Sequence, residues 1–444
     1  MIRRDLLLGL AALPLLPRPA RADTAEARAV RAAFGGPYDA PALRDHVGRI
    51  ARRVAEAETG GRLKVTVELL DSDQVNAAAL PDGRLLVNRG LLALARSEAE
   101  LAFVLAHEIG HVVAGHAKQG AARPPVDPAI AGMAEVQAEA AFNRGQEQEA
   151  DRIGLDTLAR AGFDPGAALS FLARFGAAQN LAASLSGQPE LATATIGGGD
   201  HPEVAERIAA ARARVAGLPP GETGEAAWLD AVDGLPWGEG AGQIPIRGQA
   251  VIDPAAGFRW DAPPGVGLVR QRQRVMGLGP EDSVILFDHL SQPRALPARL
   301  LLERVWGRRA GGVQAVGEGD LGGFHAAWGV AGIAVGTERW ESLLVAIETT
   351  AERRERFTVL TRAGSPAAVP MRGAVESFRR IGAAEAAAVR PRRLAVVEVR
   401  PGDSVADLAG RMKVEAAEAW FRLLNDVPED ATQPAGTRVK LIVE

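Results

Sequence analysis

The chain has 444 residues, 51 of them Lys or Arg and 55 Asp or Glu, with 47% hydrophobic and 24% charged residues. That balance fits a folded protein of about two to four domains and excludes disordered, collagen-like and coiled-coil chains. The formal net charge of −4 lacks the basic excess of a general nucleic-acid binder. The absence of Cys excludes disulfides, thiolate metal sites and Cys nucleophiles.

Arg3-Arg4, an apolar stretch from Leu6 to Pro17 and the small-residue ending Ala20-Arg21-Ala22 read as a secretory leader over residues 1–22. The apolar stretch is too short to span a bilayer. Arg3-Arg4 before Asp5-Leu6-Leu7 leaves twin-arginine and ordinary secretory export both open. No later segment is apolar over the roughly 18 residues a membrane helix needs. The expectation is an exported chain, periplasmic or in the cell envelope, without a transmembrane segment.

Residues 23–216 read as a mostly helical domain with a small sheet. Leu43–Ala57 has helical spacing, Leu63–Leu70 alternates as a strand, Pro81-Asp82-Gly83 is a turn and Arg84–Asn88 is a second strand. Long helical patterns follow. Residues 217–248, rich in Pro and Gly, show no sustained period and read as a linker. Residues 249–385 read as a small α+β domain of unassigned role, with strands at Val284–Phe287, Leu343–Thr349 and Phe357–Thr361 and helices at Ala298–Trp306 and Ala374–Ile381. Its Gly-rich stretch 311–336 holds no phosphate-binding fingerprint and is assigned to turns and bulges. In residues 394–444, strands at Val396–Val399 and Val439–Val443 flank helical patterns at Val405–Met412 and Ala416–Leu424. That strand–helix–helix–strand order, with Pro401-Gly402-Asp403-Ser404 and Leu423-Leu424-Asn425, resembles a LysM module, which implies peptidoglycan as a partner. The predicted fold class is α+β multidomain.

The chemistry concentrates in Ser97–His116, SEAELAFVLAHEIGHVVAGH. Ser97 with Glu100 predicts a capping box and a helix start. His107 and His111 lie one turn apart on one face, so both imidazoles can reach one ion, and Glu108 follows where its carboxylate can take a proton from water. This is H-E-x-x-H, the pattern of a zinc hydrolase with Glu as general base. Zinc needs a third protein ligand. The downstream helical run Asn143–Gly154 supplies Glu147, and Asp151, one turn further on, can accept the free ring N–H of a His ligand. One Zn²⁺ per chain is expected, held by His107, His111 and Glu147.

These motifs, with Val87-Asn88-Arg89-Gly90, Ala161-Gly162-Phe163-Asp164-Pro165, His201-Pro202 and Arg207, resemble the gluzincin metallopeptidases of HtpX and the CAAX prenyl proteases, especially their soluble exported bacterial members. The resemblance covers roughly residues 35–215. It implies a zinc endopeptidase acting on proteins or peptides. It places His201 beside the zinc, as oxyanion donor or as a cap on the resting metal, and puts Arg207 at the site. It makes Asn76, Ala77, Ala78 and Ala79 the edge strand for an extended substrate. Exported members include envelope quality-control proteases acting on misassembled outer-membrane proteins, but the tetratricopeptide repeats those carry have no counterpart in this sequence. The rival expectation is a zinc-containing envelope chaperone or cell-wall binding protein with little proteolysis.

Overall fold

The structure, a computed structural model, describes residues 36–116, 119, 133–185, 204–240, 243–271, 274–292, 295–309, 312–335 and 338–444. The expected leader over 1–22 and His201 lie outside these residues. The chain divides into two compact units. The first joins the chain up to Ser184 with Pro189–Gly240 and Pro391–Glu444; the second is Ala241–Arg390 with Leu185–Gln188.

In the first unit, helix α1 (Pro41–Thr59) opens on Pro41, whose fixed φ suits a first turn. It ends at Gly60 in the left-handed conformation, whose N–H caps the Glu56 carbonyl. Leu43, Val47, Ile50, Ala51 and Val54 recur at helical spacing and are buried. Strands β1 (Thr66–Leu70), β2 (Ala77–Ala79) and β3 (Arg84–Asn88) form a sheet in the order β1-β3-β2. β3 runs parallel to β1 and antiparallel to β2, which leaves β2 at an edge. The β2–β3 turn needs Gly83: its φ is 87°, and a Cβ there would stand 2.3 Å from the Lys64 carbonyl oxygen.

Helices α2 (Arg89–Leu94), α3 (Glu98–Ala114), α4 (Met133–Arg160), α5 (Gly166–Leu185), α6 (Val204–Val215) and α7 (Glu225–Val232) follow, then strand β4 (Pro236–Trp237). α3 starts where the sequence predicts, with the Ser97 side chain accepting the Glu100 N–H at 3.2 Å. The reciprocal half of the box is absent. Glu100 instead accepts from the Arg96 N–H (2.7 Å) and the Ser170 hydroxyl (2.9 Å), and it pairs with the buried Arg174 guanidinium. The predicted linker 217–248 contains α7. Its Trp228 is fully buried and donates its ring N–H to the Ala95 carbonyl at 2.7 Å. A helix of eight residues is too short to display a period that sequence reading can detect.

The second unit is dominated by sheet. Strands β5 (Ile246–Arg247), β6 (Ala250–Asp253), β7 (Phe258–Asp261), β8 (Gly267–Gln271), β9 (Arg274–Leu278), β10 (Val284–Ser291), β11 (Gln314–Leu321), β12 (Phe324–Val335), β13 (Glu338–Glu348), β14 (Arg353–Arg362) and β15 (Arg379–Arg380) form two sheets. The larger has the antiparallel order β11-β12-β13-β14-β10-β9-β8, the smaller β15-β7-β6-β5. A helical segment runs over Ala298–Leu300, Leu301–Trp306 and Gly307–Arg309, followed later by α8 (Ala368–Glu376) and α9 (Ala383–Ala388). Trp260, Phe287, Phe357 and Phe378 make the aromatic core. The Gly-rich stretch assigned to turns and bulges is mostly the hairpin β11–β12: Gly322 and Gly323 make its turn with φ of 57° and 90°, and the pairing register shifts between Gln314 and Gly317. Gly317 sits inside β11 because the Trp328 ring lies across it, 2.6 Å from where a Cβ would be.

The chain then returns to the first unit with β16 (Arg392–Glu398), α10 (Val405–Gly410), α11 (Ala417–Asn425) and β17 (Arg438–Val443). The strand–helix–helix–strand order matches the sequence reading, but the segment has no core of its own. Leu394, Leu408, Phe421 and Leu441 belong to the same buried cluster as Leu91, Leu92 and Phe103, and β4 pairs with β16. Lys440 is fully buried, and its ammonium donates to the carbonyls of Ala93 (2.7 Å) and Ala95 (3.0 Å) at the C-terminal end of α2. Arg96 bonds the Asn425 carbonyl from the other side of the contact. Among the described residues no helix is long and apolar enough to cross a membrane.

Removing residues 394–444 would therefore expose the apolar core of the first unit, and a chain truncated there should lose its cooperative thermal transition. Lys440 allows a finer test. Burial, helped by the neighbouring Arg174, pulls its ammonium from 10.5 down to about 7. Between those values the unfolded chain holds a proton that the folded chain lacks, so stability should rise with pH across that window. Urea titrations over the window should show that rise in the wild type and a flatter profile in Lys440→Met.

Candidate metal centre

Two helices build the site, and two glycines set their separation. On α3, His107, Gly110 and His111 fall at i, i+3 and i+4; on α4, Glu147, Asp151 and Gly154 fall at i, i+4 and i+7. A Cβ at Gly110 would lie 3.2 Å from the Ala150 carbonyl oxygen. One at Gly154 would lie 3.1 Å from the His107 amide nitrogen. The helices thus touch backbone to backbone, and this brings the Glu147 carboxylate between the two imidazoles. His107 Nε2 and His111 Nε2 stand 3.1 Å apart. Glu147 oxygens lie 3.4 Å from the first and 3.2 Å from the second.

Three donors held at about 2.0–2.1 Å by one tetrahedral ion stand roughly 3.3 Å from one another. The observed spacings match, and His107, His111 and Glu147 form the group able to hold a metal ion among the described residues. Two imidazoles and a carboxylate suit zinc.

Behind the ligands lies a buried charge chain. His107 Nδ1–H donates to Asp151 at 2.9 Å, which fixes the ring with Nε2 toward the ion site. Arg207 grips the same carboxylate through two bonds of 2.8 and 2.7 Å and lies 3.8 Å from Glu147. Burial alone would raise the Asp151 pKa, but the bonds from His107 and Arg207 outweigh it and hold the carboxyl well below its usual range. Burial likewise works against a charged His107, yet Asp151 and Glu147 raise its pKa to about 9. Helical spacing alone would leave Arg207 as a solvated surface residue; it is instead buried and contacts Asp151.

Glu108 bonds to β2, while its charge also acts on Arg207. Its Oε2 accepts the Ala79 N–H at 3.1 Å, a donor on the side of β2 not used for pairing with β3. Asn76 and Leu80 flank the strand, the Asn76 carbonyl accepting from Asn88 N–H and the Leu80 N–H donating to Arg84. Ala77, Ala78 and Ala79 are partly exposed. Two features escaped the sequence reading: the glycine contact and the Ala79 bond. A signal for the first was present, since Gly110 and Gly154 share helix faces with the ligands.

Residues 40–127 match the family model described as peptidase family M48, and residues 98–228 match that of peptidase U49. Over these residues the chain is similar to M48 peptidases. A beta-barrel assembly-enhancing protease of Yersinia pestis is 32% identical over 170 residues, covering 33% of this chain and 35% of that protein. The mitochondrial metalloendopeptidase OMA1 of Schizosaccharomyces pombe is 31% identical over 149 residues, covering 30% of this chain and 44% of its own. The beta-barrel assembly-enhancing protease of Escherichia coli K12 is 29% identical over 157 residues, with 30% and 32% covered. The chain thus spans less than half the length of these relatives.

If Asp151 orients His107, Asp151→Asn should weaken zinc binding by about 10–100-fold without unfolding the chain. Competition with a chromophoric chelator, alongside a thermal melt, checks both.

Proposed function

We propose that this chain is a zinc-dependent endopeptidase of the cell envelope, hydrolysing peptide bonds with Glu108 as general base and serving protein quality control. The observation carrying this reading is the convergence of His107, His111 and Glu147 at ion-binding distances, next to a Glu108 tied to an edge strand. Zinc bound there would supply Lewis acidity to a peptide carbonyl and make water more acidic. Glu108 would accept the proton of the attacking water and pass it to the leaving amine. The Ala79 N–H holds one oxygen of that carboxylate, so the base is oriented before substrate arrives.

An extended peptide pairing with the outer side of β2 would lie along the strand that orients Glu108, and main-chain pairing of this kind tolerates varied side chains. Such tolerance suits misfolded envelope proteins as substrates. The names of the Yersinia and Escherichia relatives support the same setting, and the leader-like N-terminus supports export. In this reading Asp151 and Arg207 act through His107 rather than on substrate, and His201 serves as cap or oxyanion donor.

The test is hydrolysis of casein by purified wild-type and Glu108→Gln protein, with zinc analysis of both. The variant should keep its zinc and lose about 10²–10⁴-fold in turnover. A zinc-loaded wild type that cleaves nothing would favour the chaperone or cell-wall binding alternative, in which the metal serves the fold alone.

A further inference from the structure

His111 has an anchor distinct from the one behind His107. α3 ends at Gly115, whose φ of 72° is left-handed and whose N–H caps the carbonyls of His111 and Val112. That reversal turns the next residue back over the helix. His116 is five positions from His111 and would lie off its face on a continuing helix. Here its ring centroid sits 4.9 Å from that of His111 at an interplanar angle of 73°. The two Nδ1 atoms are 2.8 Å apart, and His116 Nε2 lies 3.2 Å from Glu149 Oε2 on α4. His116 is 4% exposed, whereas the Glu149 side chain is 48% exposed.

With both rings neutral, as metal binding through His111 requires, the protons on this chain can be placed by elimination. A short contact between two ring nitrogens requires one donor and one acceptor. Glu149 is an acceptor, so His116 carries its proton on Nε2 and presents Nδ1 as a lone pair. His111 must then carry its proton on Nδ1, which leaves Nε2, the atom facing His107 and Glu147, bare. An exposed carboxylate on α4 thereby decides which nitrogen of a residue on α3 is open to a metal.

We propose that His116 and Glu149 are positioning residues that fix the tautomer and ring orientation of His111 for metal binding. The inference rests on the zinc reading of the site. It assigns the two imidazoles separate supports: Asp151 with Arg207 behind His107, and His116 with Glu149 behind His111.

Two measurements on the full chain test it. Long-range ¹H–¹⁵N correlation spectra of the zinc-loaded, histidine-labelled protein should show protons on His111 Nδ1 and His116 Nε2. Zinc affinity, by chelator competition, should fall by about 10–100-fold in His116→Ala and in Glu149→Ala, and stay within about twofold in Glu149→Gln, whose amide oxygen still accepts from His116. Glu149 is exposed, so its variants should fold even if His116→Ala does not. A His116 proton on Nδ1, or wild-type affinity in Glu149→Ala, would overturn the proposal while leaving the zinc site standing. A wild-type chain that binds no zinc would overturn both.

Discussion

The close approach of α3 and α4 is the constraint on which the site depends. Side chains at Gly110 and Gly154 would force the helices apart by part of a methyl group's width, because the atoms they would meet are backbone. Donor spacings near 3.3 Å tolerate little such displacement. The ion-binding group is therefore a property of the interface between two helices, with two of its three residues on α3 and one on α4.

The same contact explains why the surrounding charges are buried. Asp151, Arg207, Glu147 and His107 are nearly excluded from solvent, an arrangement that would be costly for any one of them alone. Each has a partner of opposite character, and the ligands' outer nitrogens are taken by Asp151 and His116. The charges thus hold the imidazoles in place instead of competing with them. Glu108 is held by a backbone amide instead, although its charge also acts on Arg207.

Much of the site was legible because helix periodicity is local arithmetic. His107, His111, Glu147 and Asp151 follow from spacing within one helix each, and the start of α3 at Ser97 follows from its cap. What spacing cannot convey is which residues of different elements meet. The Ala79 bond to Glu108 depends on the placement of β2, and His116 depends on a left-handed residue that breaks the period. Arg207 acquires its partner only when α6 docks on α4. The larger misreadings have a similar origin. Eight-residue α7 shows no period, Gly317 and Gly319 sit under a Trp ring that local sequence does not reveal, and the C-terminal segment looks independent until Lys440 is seen bonded to the end of α2.

The zinc dissociation constant of Gly154→Val tests the central claim most directly. The added side chain would press on the His107 backbone and widen the α3–α4 contact while leaving every proposed ligand in the sequence. The account predicts that zinc binding weakens by at least about tenfold, since ligand sets tolerate misplacement of only about 0.5 Å. A folded Gly154→Val chain with wild-type zinc affinity would contradict it.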